Sequence, residues 1–151
     1  MGAIEKYIEE IEAYEKILIE DLTVNEALIL VAVCAAKEKN IDKNHIHETK
    51  RIEALAKDHP IFKDLHDSIK PSLNKFMNTI KSKDTVKYVM AAAKVLKPEL
   101  KETAFTWTVT ILMSDGVLTK ARKDILDKYA MILNIDGSIA QKILVQAPQA
   151  S

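Results

Sequence analysis

Thr23-Val24-Asn25-Glu26-Ala27-Leu28-Ile29-Leu30-Val31-Ala32-Val33-Cys34-Ala35-Ala36 is the stretch on which the architecture turns. Its valines and isoleucine would suit a buried strand, because β-branched side chains pack well on a pleated surface. Two features select a helix instead. Thr23 followed three residues later by Glu26 reads as a capping box, in which each side chain satisfies a backbone N–H that a starting helix leaves free. The alanines at 27, 32, 35 and 36 then favour helix over strand. A helix that is apolar nearly all round belongs inside a fold. The run Ala27 to Ala36 is far short of the roughly 20 apolar residues that a membrane span requires.

Working outward, Ile4, Tyr7, Ile11, Tyr14 and Leu18 recur at helical spacing and predict an amphipathic helix within residues 1–22 that packs on the bundle. Its remaining positions are acidic: up to Asp21 there are seven carboxylates against Lys6 and Lys16. Glu9, Glu10 and Glu12 on this surface are candidate partner contacts. On the other side, the polar stretch Lys37 to Asn44 ends the central helix. Ile46, Ile52, Leu55 and Ala56 carry the next helix, up to Pro60. The stripe from Ile61 to Ile80 is interrupted by Pro71 and reads as a kinked helix or two short ones. Asp84 is placed to cap a helix bearing Val86, Val89, Met90, Ala93 and Leu96, and Pro98 suits the first turn of its successor. That successor closes at Gly116, Thr119 caps the next helix, and Asn134 closes it by a left-handed turn. A short helix from about Ser138 is followed by a tail, residues 148–151. The expectation is an all-α, single-domain bundle of about eight helices, with its body at 23–147.

Composition agrees with this. Hydrophobic residues at 48% and charged residues at 29% mark a folded globular chain, and three glycines with four prolines leave little for hairpins. A lone cysteine, Cys34, excludes an intramolecular disulfide, which together with the absence of a signal-type start predicts a cytoplasmic setting. The 22 basic residues equal the 22 acidic ones, so no overall field draws in nucleic acid. The balance is uneven along the chain, with nine lysines against four acids from Lys63 to Lys101. These blocks read as solvated helix faces that attract one another.

No reactive constellation stands out. Phosphate-binding glycine loops, nucleophile elbows and His-Glu-x-x-His pairs are missing, and no carboxylates are spaced as an acid and base pair, so the chain is not expected to be an enzyme. Cys34 lies within the apolar run and reads as core. His45, His47, His59 and His66 are ill-spaced for zinc and read as solvent-facing. Trp107, beside Phe105, reads as a core or groove residue.

Sliding the chain by 76 positions lays Leu28 to Ile41 over Ala104 to Val117, and about three extra residues then bring Ile52 over Ile125. This is a weak internal duplication of a buried helix, a turn and an amphipathic helix. The second unit contains Ser114-Asp115-Gly116-Val117 and ends in Asn134-Ile135-Asp136. With Thr85-Val86-Lys87-Tyr88-Val89, it resembles the TerB family of tellurite-resistance proteins over roughly Thr23 to Leu144. The membrane co-chaperone DjlA shares that type of domain. The resemblance implies a non-enzymatic interaction module of a tellurite-resistance or general stress-response system. Such a module would bind protein partners in the cytoplasm or at the inner face of a membrane, without a resident cofactor. In that family the loop after Ser-Asp-Gly brings in further acids suited to a hard cation. Here Leu118, Thr119, Lys120, Ala121 and Arg122 stand there, and Glu38, Lys39, Asn40 and Ile41 replace the motif in the first unit. Two alternatives follow. Asp115 helps hold a divalent cation, making the Ser114 to Arg122 loop a metal-ion or oxyanion sensor, or Arg122 pairs with Asp115 and fixes the loop as an ion would.

Overall fold

The computed structural model describes residues 2–6, 21–39 and 46–146. Among these there is no strand: residues 3–6 are helical, and from Val24 on there are seven α-helices and two 3-10 turns. Helix α1 (Val24–Lys39) is the axis of the bundle. Its start is the expected capping box: the Thr23 N–H donates to Glu26 Oε1 at 3.1 Å, and the Glu26 N–H donates to Thr23 Oγ1 at 3.1 Å. Every residue from Ala27 to Ala36 is buried. The helix runs through Lys37 to Lys39, beyond where its polar end was expected. Cations in a last turn are favoured by the backbone carbonyls they face.

Around α1 lie α2 (Ile46–Asp58), α3 (His66–Thr79), α4 (Thr85–Val95) and α5 (Pro98–Leu112), all four packed directly against it. Helices α6 (Lys120–Ile132) and α7 (Gly137–Val145) pack on α5. This arrangement explains the all-round apolar character of α1. A helix with neighbours on every side has no face left for water.

Several local expectations are corrected. The segment around Pro71 is one continuous helix, α3, preceded by a 3-10 turn at Pro60–Phe62. Pro71 is exposed and removes a single N–H donor, whereas Ile69, Leu73 and Phe76 fix the helix from its buried side. Asp84 stands at the N-cap of α4 but makes no side-chain bond there. Its backbone (φ −107°, ψ 6°) continues the preceding 3-10 turn instead of the extended form a capping residue needs. Met90 is 52% exposed, not core, because the buried face of α4 is Thr85, Tyr88, Val89 and Ala92. His59 is half-buried: its Nδ1 accepts from the Ile61 N–H at 3.2 Å, and its ring meets Trp107 edge-on at 6.1 Å. His47 and His66 are exposed, and His45 lies outside the described residues. Trp107 is core, with Phe62 stacked on it at 6.5 Å.

Turn chemistry is obeyed at the other end. Pro98 opens α5. Thr119 caps α6 through the Arg122 N–H at 3.1 Å. Asn134 has φ 56°, the Ile135 N–H reaches Ala130 O at 2.8 Å, and the Asn134 N–H reaches Met131 O at 3.2 Å. That pair of bonds is a Schellman closure. Asp136, unremarked in the sequence as a cap, accepts from the Ser138 N–H at 3.3 Å and starts α7. Of the N-terminal stripe, Ile4 is 76% exposed, while Tyr7, Ile11, Tyr14 and Leu18, with Glu9, Glu10 and Glu12, lie outside the described residues, as does the tail from 147 on. Among the described residues no helix is long and apolar enough to cross a membrane.

Candidate functional site

The two helix pairs of the suspected duplication are α1–α2 and α5–α6. Ile46 falls over Lys120 and Asp58 over Ile132, a shift of 74. The ends of these four helices meet. Lys39, the last residue of α1, places its Nζ 3.0 Å from Glu48 Oε1 near the start of α2, and also on Ser114 Oγ just past α5. The end of α1, the first turn of α2 and the end of α5 are thus joined by one side chain.

In the second unit Asp115 receives three donors. Its Oδ1 accepts from the Val117 N–H at 3.1 Å and from the Arg122 NH1 at 2.6 Å, and its Oδ2 accepts from the Arg122 NH2 at 2.9 Å. The same guanidinium donates to Val117 O at 2.5 Å. Arg122 thereby clamps both the side chain and the backbone of the turn, a fork that suits a planar guanidinium and not an ammonium. Gly116 supplies the one conformation that an ordinary side chain would resist, φ 76°.

The two units carry ion pairs of opposite polarity at matching places. In the register of 76 Lys39 lies over Asp115, and in that of 74 Glu48 lies over Arg122. Their fields reach across. The Arg122 hydrogen bonds, then the Val117 N–H, hold the Asp115 carboxyl well below the usual carboxylate range, with Lys39 adding to the effect. Arg122 is raised, chiefly by Asp115 and further by Glu48. Arg51 NH1 also stands 3.1 Å from Glu48 Oε2. The Lys39–Glu48 pair is buried, at 8% and 6% side-chain exposure, whereas Asp115 is 50% exposed.

The donor set at Asp115 does not fit a hard cation. Such an ion takes six or more oxygens, yet both carboxylate oxygens and the Val117 carbonyl are engaged by Arg122, and Lys39 adds a second positive charge. Among the described residues no group of three or more His, Cys, Asp or Glu side chains gathers in metal-holding fashion. What the clamped turn does present is apolar. Val117 and Leu118 are 52% and 42% exposed.

A buried polar cluster escaped the sequence reading. Tyr129 of α6 is buried among Cys34 and Glu38 of α1 and Thr85 of α4, and its phenol is pushed far above the ordinary range by burial, then by Cys34 and Glu38. Burial, with Glu38, likewise raises the Cys34 thiol well above its usual value. A nucleophilic cysteine needs the reverse. Helical spacing places Glu38 one turn from Cys34, but only the packing of α6 brings in Tyr129. No family model, curated protein or solved structure matches the chain.

Proposed function

We propose that this protein is a non-enzymatic interaction module that recognises a protein partner through the turn from Ser114 to Leu118. The observation that carries the reading is the pairing of rigidity with exposure: Val117 and Leu118 face solvent from a backbone held by Arg122, Asp115 and Thr119. Loops fixed on a rigid scaffold are where binding function concentrates, and a surface that is already ordered loses less entropy on association. The likeness of Ser114-Asp115-Gly116-Val117 to TerB supports a place in a tellurite or general stress response, in the cytoplasm or at the inner membrane face. The acidic N-terminal residues Glu9, Glu10 and Glu12 are proposed as a further contact. A metal or oxyanion sensor is the weaker reading, because a cation would have to displace Arg122.

Photo-crosslinking in cells tests this. A photoreactive residue at Leu118 is expected to capture a discrete partner, and the same probe at Glu102, exposed on α5, is not. Equal capture at both positions, or none at Leu118, overturns the reading. Thermal melts separate the sensor alternative: a ligand at a hundred times its dissociation constant adds about 2.7 kcal/mol. Calcium, zinc and tellurite are expected to leave the melt unmoved.

A further inference from the structure

A second surface carries charge that the turn does not explain. Helices α2 and α3 enclose an open groove of about 520 Å³ whose walls include Lys50, Glu53 and Lys57 from α2 and Lys70 and Asn74 from α3, with Leu73 as a buried floor. Lys50, Glu53 and Lys57 recur at helical spacing, so they form one stripe along the groove. Lys57 lies 2.9 Å from Glu53. The Lys57 bond, together with the charges of Lys57 and Lys70, holds the Glu53 carboxyl below its usual range. The groove thus holds three ammonium groups against one carboxylate, a net positive charge, and Lys57, 48% exposed, keeps donors beyond its bond to Glu53.

We propose that this groove binds an acidic peptide segment of a partner protein. Spacing decides between that and a small anion. Lys50 and Lys57 are seven residues apart, two turns of helix and roughly 10 Å, with Lys70 on the facing wall. A single phosphate group is too small to reach both ends. Carboxylates three or four residues apart in an extended chain are separated by roughly 10 Å and match that span. Ala54, exposed in the groove, gives the segment between them an apolar contact, and the Asn74 amide offers both a donor and an acceptor to a peptide backbone. The mode is charge-steered docking into a shallow groove, so affinity is modest and falls with salt.

The test is fluorescence anisotropy on the full chain with a labelled peptide carrying glutamate at every third position and alanine between. Saturable binding that weakens as chloride rises is expected. The double variant Lys50→Glu with Lys70→Glu should weaken binding roughly tenfold, since each surface ion pair is modest and reversal adds repulsion. Lys94→Glu with Lys128→Glu, an equal charge change at exposed sites on α4 and α6, should leave it intact, with circular dichroism confirming that both variants fold. Lys50→Gln with Lys70→Gln should fall between the two. Three results overturn the proposal: no binding at low salt, equal loss in Lys94→Glu with Lys128→Glu, or displacement of the peptide by inorganic phosphate beyond what chloride of the same ionic strength achieves. Displacement of that kind would mark a simple anion site. These outcomes leave the Leu118 crosslink untouched, so the two proposals fail separately.

Discussion

At the residue scale the chemistry is set by what surrounds each charge. Cys34 illustrates this. Its thiol is fully buried and raised by burial and by Glu38, so a thiol reagent should leave native protein unlabelled and label it fully in denaturant; rapid native labelling would contradict the packing of α1. Asp115 behaves in the opposite sense. Its carboxyl is held low in the fold, so its stabilisation is present above the unfolded value near 3.9 and lost as pH falls through the folded value. Asp115→Asn is therefore expected to lower Tm at neutral pH, with the gap to the parent protein closing below about pH 4. Because this side chain is half exposed, the effect should stay below about 1 kcal/mol. The Asp115–Arg122 contact was one of two alternatives drawn from the sequence, beside a bound cation; seven positions of separation could not choose between them, because the contact depends on Gly116 turning the chain. It displayed Cys34 as core because its neighbours are apolar, whereas Tyr129 reaches the cluster only through the docking of α6.

At the scale of elements, local chemistry was most legible where a side chain bonds its own turn. Thr23 with Glu26, Thr119 and Asn134 act over three or four residues, and all three close or open the helices that their types suggest. Asp84 and Pro71 misled for a shared reason: the outcome there depends on what the segment packs against. The 3-10 turn before α4 sets the backbone at Asp84, and the buried Ile69, Leu73 and Phe76 keep α3 one helix through an exposed proline. Met90 was misplaced because the buried face of α4 lies one residue back from the expected stripe, about 100° around the helix, which turns Tyr88 inward. Gly116→Ala should lower stability by about 1 kcal/mol in urea titration, because φ 76° suits glycine alone. No loss would show that the turn has another conformation open to it. Lys39→Met should lose more, roughly 3 kcal/mol. Breaking a buried pair strands the other charge, although Arg51 remains beside Glu48 to limit the loss.

For the whole molecule, α1 is the member that every close neighbour shares, and its ten consecutive buried residues account for the cooperativity the bundle should show. Leu30→Ala is expected to destabilise the protein by about 2–5 kcal/mol in denaturant titration, the range for a buried leucine in a packed core; a loss under about 1 kcal/mol would mean that the site is far looser than drawn. The duplication was legible as a rhythm of apolar residues. Its consequence was not, because the exchange of polarity between Lys39–Glu48 and Asp115–Arg122 appears only when the ends of α1 and α5 meet. That meeting is the claim from which the rigid recognition turn follows, and a double-mutant cycle between Lys39→Met and Ser114→Ala probes it directly. Coupling of about 1 kcal/mol or more between these residues, one at the end of each buried helix, is the predicted result. Additivity within about 0.3 kcal/mol would contradict it, since independent sites add.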